Sequence, residues 1–283
     1  MSVCIITDSG ADIVGLEHKA LKVLPLTIVF GDTLYHDGQD LSHEQFYDLL
    51  VEHAQLPTTG AVAPGVFEAA YREAQDAGQD VVVVTLSSKL SGTYQSACIA
   101  QEEFSNVWVV DSQNVSFGEQ ILVREALILA EQGLDAASIA QRLEDLRGSV
   151  RTLGLLDSLE YLRRGGRLPA AAATIGTLLA MKPVLTIKDG EVELLGKARG
   201  SKNARNILNE TVALDGGIDF KLPFALGYSG LSDKLLTKYV EDSRSLWEGM
   251  VDGLPVFSIG ATIGTYAGPG TIELAYFKKK ANL

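Results

Sequence analysis

Residues 80–86, DVVVVTL, carry an unbroken apolar run of four valines that opens into the hydroxyl-rich stretch TLSSKLSGTYQS (85–96) and then a helical pattern starting near Thr93 or Tyr94. A strand without polar alternation must be covered on both faces, and a helix directly after it is what a parallel neighbour requires. The same order recurs. SVCIITDSG and NVWVVDS read as further strands ending in hydroxyl turns, and LKVLPLTIVFG as one more strand. SHEQFYDLLVEH, PGVFEAAYREAQDAG, QILVREALILAEQG and AASIAQRLEDLRG carry helical spacing between or after them. Ser42 with Gln45 forms a possible capping box, and Gly78 ends the second of these helices. Alternating strands and helices predict a parallel sheet with helices on both faces, whose ligand-binding turns lie at the strands' C-terminal ends.

Beyond Ser149 the pattern changes. DSLEYLRRGG reads as a short helix with Asp157 or Ser158 at its start and Gly165 at its end, and AAAATIGTLLAM continues helically until Pro183. VLTIKDGEVELLG is an Asp-Gly hairpin. SKNARNILNETVAL and DKLLTKYVEDSRSLW are helical, FALGYSG and LPVFSIG are strands, and GTYAGPGTIELAYF is a glycine-rich turn feeding a last strand. A hairpin amid helices and strands implies a mixed sheet. The expectation is an α/β protein of two domains: a three-layer parallel sheet over 1–150, and a mixed sheet with helices over 151–283. A chain of 283 residues suits two domains.

Each strand end presents hydroxyls or carboxylates: Thr7-Asp8-Ser9-Gly10, Ser87 to Thr93, and Asp111, Ser112 and Ser116. The polar loop LPTTGAVAPG adds Thr58 and Thr59. Gathered at one sheet edge, such groups and the amides of helix N-termini favour an anion. Taken singly, Ser9 and Ser112 read as caps, and Thr93 most simply caps the helix it opens. In YLRRGGR the double glycine separates Arg167 from Arg163 and Arg164, which suit the helix's C-terminal dipole. Arg167 is then free for a carboxylate, a phosphate or a domain contact. GTYAGPGT places Thr265, Tyr266 and Thr271 on a tight turn.

Several chemistries are disfavoured. The net charge of −12 argues against a nucleic-acid partner. The longest uncharged run, LPAAAATIGTLLAM, is too short to span a bilayer, and the basic tail FKKKANL reads as a solubility feature. Two isolated cysteines, Cys4 and Cys98, and an N-terminus without a leader pattern suggest a reduced, cytoplasmic setting. All four histidines precede residue 54 and none lies in a hydroxyl cluster, so Ser91 lacks the base a nucleophile needs. There is no phosphate-binding GKS/GKT loop, no GxGxxG after a strand, and no metal-ligand spacing. YHDGQD, with Asp37 and Asp40, falls short of a calcium loop. A metal or cofactor is therefore not expected.

IITDSGADI, LPLTIVFGDTLYHDGQDL, PTTGAVAPGVFEAAY, LSSKLSGTYQSA, VVDSQNVSFG, YLRRGGRL, KPVLTIKDGEV, KARG and GTYAGPGT resemble, in order and spacing, the bacterial DegV family across essentially the whole chain. The resemblance implies a non-enzymatic binding protein that holds one long-chain fatty acid, palmitate for example, between its two domains. Such proteins are similar to the binding subunit of bacterial fatty acid kinase, which presents the acyl carboxylate to a separate catalytic subunit. It further implies that Thr59 and Ser91 hold the carboxylate, with the Gly92 amide beside them and Arg167 and Tyr266 nearby. Two positions depart from the pattern: Gly60-Ala61 follow Thr59 where the family carries a hydroxyl and an amide, and Tyr266 stands where it often has histidine. Two alternatives remain open at this point, a Ser91-dependent acyl or phosphoryl transferase or hydrolase, and a phosphate-ligand sensor.

Overall fold

A computed structural model describes residues 2–13, 15–53, 55–168 and 181–279. The helical reading of AAAATIGTLLAM and most of the basic tail lie outside them. Among the described residues the strands are β1 (Val3–Asp8), β2 (Leu21–Leu24), β3 (Thr27–Phe30), β4 (Thr33–His36), β5 (Thr58–Gly60), β6 (Asp80–Thr85) and β7 (Val107–Asp111). They continue with β8 (Val150–Leu155), β9 (Met181–Lys188), β10 (Glu191–Arg199), β11 (Ala225–Tyr228), β12 (Val256–Ser258) and β13 (Ile272–Phe277). The helices are α1 (His43–Glu52), α2 (Pro64–Asp76), α3 (Thr93–Gln101), α4 (Phe117–Glu131), α5 (Ala136–Arg147), α6 (Glu160–Arg164), α7 (Ser201–Leu214), α8 (Lys234–Asp242) and α9 (Ala261–Ala267).

The apolar runs pair as a parallel sheet in the order β2-β1-β6-β7. Alternate residues face opposite layers, as the two-residue strand period requires. Ile5, Val82 and Val84 pack with α4 and α5, while Ile6, Val81 and Val83 pack with α2 and α3. A second sheet runs β10-β9-β8-β13-β11-β12 and is mixed, parallel only between β11 and β12. Its outer face carries Leu153, Leu155, Ile272 and Leu274, packed with Leu208 of α7 and Tyr239 of α8. Helix α4 joins the two sheets: its core cluster holds Ile5 and Val84 together with Ala225, Ala275 and Phe277. The fold is the expected α/β arrangement of a parallel and a mixed sheet.

The local signals hold in detail. Ser42 and Gln45 form a complete capping box on α1, and Asp189-Gly190, both at positive φ, turn the β9–β10 hairpin. Five expectations are corrected. LKVLPLTIVFG is two strands in different sheets, because Pro25 has no amide to donate and the chain leaves the parallel sheet there. Thr58 and Thr59 lie on β5, not in a loop; with β3 and β4 it makes a third, antiparallel sheet in the order β4-β3-β5. The Gly264-Thr265-Tyr266 stretch is helical, inside α9, and only Gly268-Pro269-Gly270 turns. Met181 to Pro183 belong to β9, where Pro183 pairs with Lys197. Neither Asp157 nor Ser158 is the cap residue of α6, which is Leu159, although the Ser158 hydroxyl accepts the Glu160 amide. Among the described residues no helix is long and apolar enough to cross a membrane.

Candidate functional site

The C-terminal ends of the parallel strands face the inner side of the mixed sheet, and a cavity of about 1010 Å³, counted to its open mouth, lies between them. Leu26, Leu86, Leu90 and Val115 come from the loop side. Leu156, Leu185, Ile187 and Val192 come from the sheet side, with Leu162 of α6 and Ile263 of α9. A lining of this kind accepts a long apolar ligand. Thr59, Ser91, Gly92, Arg167 and Tyr266, the five residues singled out from the sequence, all line this one cavity.

Each is positioned by a separate local device. Thr59 is held on β5 opposite Ile28. Ser91 does not sit idle before its helix: its Oγ accepts the Thr93 amide at 3.2 Å and shares a hydrogen bond with Thr93 Oγ1 at 2.9 Å. Thr93 is thus the first helical residue of α3, not its cap, and Gly92 takes the cap position without a side chain. With Thr93 Oγ1 donating to Ser91 Oγ, the Ser91 proton is left to donate into the cavity. Gly92 is exposed, and a Cβ there would come within 4 Å of Ala61 Cβ alone.

Arg167 follows a Schellman ending of α6. The Gly166 amide (φ +72°) donates to Arg163 O and the Arg167 amide to Leu162 O, reversing the chain after the helix. Its guanidinium then donates to Leu90 O and Gly165 O and lies 5.1 Å from the Tyr266 ring centroid. Tyr266 in turn shares a 2.5 Å hydrogen bond with Thr59 Oγ1. Residues from β5, α9 and the α6 ending therefore meet at one mouth. Arg163, in the last turn of α6, pairs with Glu160 in its first.

Tyr266 owes its place to carboxylates far away in sequence. Asp12 accepts the Gly260 amide at 2.8 Å, and Asp37 accepts the Ala261 and Thr262 amides, so two acids hold the start of α9. Ser116 and Ser9 brace those acids by donating to Asp12 and Asp37. Asp8 accepts the Gly10 and Leu86 amides, and Ser87 donates to Gly190 O, latching the hydroxyl loop to the hairpin turn. Ser88 donates to Asp111, and Ser112 donates to Asn114 O. Most hydroxyls at the sheet edge thus tie loops together, leaving Ser91 and Thr59 beside the cavity. Sequence reading missed Asp12 and Asp37 as supports, and Glu273 and Gly154 as cavity wall.

Burial pushes Asp8 up to about 7 and Glu273 up to about 8, and also raises Asp12, Asp37 and Glu119. An acid with a raised folded-state value keeps its proton through a window in which the unfolded chain has lost it. The folded state is therefore favoured at low pH, and that contribution is lost as pH rises to the folded value. The expected result is a thermal midpoint that falls between about pH 5 and pH 8. Calorimetry at constant ionic strength checks this, and a midpoint that rises over the window would contradict it.

Each of the four histidines is engaged elsewhere: His18 with Glu131, His36 with Asp40, His43 with Gly230 O, and His53 against the Phe30 ring. Among the described residues the Ser91 hydroxyl is bonded to Thr93 and to no histidine. Among the described residues no cluster of ligating side chains could hold a metal. The arrangement suits capture of an anionic headgroup with an apolar tail.

Fold and cavity together define an α/β protein with an internal apolar chamber fringed by hydroxyls. The chain matches the profile of the DegV family, described as an uncharacterised protein family, over residues 2–279. A DegV domain-containing protein of Caldanaerobacter subterraneus subsp. tengcongensis is 33% identical over 283 residues, covering 98% of this chain and 99% of that protein. The chain belongs to the DegV family. Among solved structures, a DegV family protein from Thermus thermophilus, described for its fatty acid binding, is 34% identical. It superposes with a TM-score of 0.87, covering 98% of this chain and 100% of its own. A DegV family protein from Eubacterium eligens loaded with heptadecanoic acid is 25% identical, with a TM-score of 0.83 and coverage of 98% and 100%.

Proposed function

We propose that the protein is a non-enzymatic carrier of one long-chain fatty acid such as palmitate, with the tail in the cavity and the carboxylate at Thr59 and Ser91. The Gly92 amide adds a third donor, and Arg167 and Tyr266 close the headgroup side. The observation that carries this reading is that Thr59, Ser91, Gly92, Arg167 and Tyr266, drawn from four separate stretches of the chain, line one largely apolar cavity. Solved relatives described for fatty acid binding, one of them loaded with heptadecanoic acid, support it. Each buried methylene contributes about 0.8 kcal/mol, so the tail supplies affinity and the hydroxyls supply orientation.

The test is calorimetric titration of delipidated protein with saturated acids from about eight to sixteen carbons. Binding at one site, tightening roughly fourfold per methylene until the cavity is full, is expected. Failure to bind palmitate, or thermal protection by inorganic phosphate instead, overturns the carrier reading.

We further propose that the two halves, 1–150 and 151–283, enclose the ligand and act in the cytoplasm, in keeping with two free cysteines. The loaded carrier would present its carboxylate to a separate catalytic kinase subunit. Transfer of the γ-phosphoryl group of ATP to a carboxylate oxygen gives acyl phosphate and ADP. With such a subunit added, ADP release should require the fatty-acid-loaded carrier.

A further inference from the structure

The mixed sheet turns an uneven inner face to the cavity. Glu273 on β13 pairs with Gly154 on β8, and Gly154 pairs with Leu185 on β9. Side chains that pair directly across strands share a face, so this face holds an acid, a glycine and a leucine side by side. Thr152 and Thr271, each two residues along its strand direction, line the same cavity. With no side chain at Gly154, the space opposite Glu273 is open to the cavity.

The hydrogen bonds at this face leave capacity for a ligand. Thr152 Oγ1 donates to Asn114 Oδ1 and Thr271 Oγ1 to Ala267 O, so each hydroxyl retains acceptor lone pairs. Glu273 Oε1 accepts the Phe117 amide at 3.1 Å, at the start of α4. Burial pushes Glu273 up to about 8 against the Ser116 hydroxyl and the Phe117 amide, which favour its charged form, and among the described residues no cation acts on it. At neutral pH burial therefore favours the protonated carboxyl, an O–H donor, over the ionised form. The only cation among the described lining residues is Arg167, which is engaged by Leu90 O, Gly165 O and the Tyr266 ring.

A plain alkyl tail offers this surface nothing. Burying a polar group without a partner costs about 1–3 kcal/mol, whereas a partnered one is close to neutral. We propose that Glu273, Thr152 and Thr271 form an uncharged polar subsite in the acyl wall that recognises an oxygen on the chain, so that oxygenated long-chain fatty acids are the preferred ligands. The assignment rests on the carrier reading and narrows it to a ligand class.

The test compares stearic acid with its 9-, 10- and 12-hydroxy derivatives by competitive displacement, on wild-type protein and on the Glu273→Gln and Glu273→Leu variants. In the wild type at least one positional isomer should bind roughly tenfold tighter than stearic acid. Glu273→Gln, which keeps an acceptor for Phe117 and donors for the ligand, should retain the preference. Glu273→Leu should reverse it. Weaker binding of every isomer than of stearic acid by the wild type overturns the proposal, as does an unchanged ratio in Glu273→Leu. Should Glu273→Leu fail to fold, the wild-type comparison and Glu273→Gln decide the matter. Loss of stearic acid binding itself would instead sink the carrier reading.

Discussion

Replacing Thr59 by valine and Ser91 by alanine together is expected to weaken palmitate binding by roughly a thousandfold. In the carrier proposal each hydroxyl contributes one charge-assisted hydrogen bond to the carboxylate, worth about 1–3 kcal/mol, and two mid-range bonds sum to about 4 kcal/mol. The protein partners are separate, Thr59 with Tyr266 and Ser91 with Thr93, so the two losses couple only through the shared carboxylate. Valine keeps the volume and strand preference of Thr59 on β5. Alanine at position 91 also removes the acceptor of the Thr93 amide, at a stability cost of about 1 kcal/mol. Circular dichroism separates that loss from the loss of ligand. The decisive readout is the methylene increment, which should be unchanged in the double variant because the tail site is intact. Wild-type affinity in a folded double variant would place the headgroup elsewhere.

Gly154→Leu is expected to have the complementary effect. A Cβ at this position would meet only the Leu156 Cδ1, at 3.2 Å, so the rest of the side chain projects into the cavity. Four added carbons displace about four methylenes of ligand, costing about 3 kcal/mol, roughly two hundredfold in Kd for the longest acids. Short acids, which leave that region empty, should bind as they do to the wild type. Plotted against chain length, the affinity of the variant levels off early, whereas that of the headgroup double variant runs parallel to the wild type. A uniform loss at all lengths would mean that Gly154 does not face the tail.

The parallel sheet was legible because runs such as DVVVVTL admit few other readings, and the hairpin because Asp189-Gly190 supplies two positive-φ residues in sequence. The third sheet was not. Its strands are three or four residues long, β4 is largely exposed, and β5 reads as Thr-Thr-Gly, so no period can be seen. Helix α9 was hidden for another reason. Its glycines read locally as a turn, while the acids that hold its first amides, Asp12 and Asp37, lie more than two hundred residues away. Of the residues proposed for the headgroup, Ser91, Gly92 and Arg167 were reachable through motif resemblance, since LSGTY and RRGGR are contiguous. The cavity wall was not, because a lining leucine and a core leucine obey the same pattern. Glu273 did leave a signal, an acid at the second position of the otherwise apolar strand IELAYF.

The most direct test of the carrier reading is what the protein holds when it leaves the cell. Native mass spectrometry of freshly purified protein, followed by organic extraction, should find close to one equivalent of a long-chain fatty acid. The same acid should be depleted from the Thr59→Val/Ser91→Ala variant prepared in parallel. Protein that carries no acyl species and takes up no added palmitate would contradict the account.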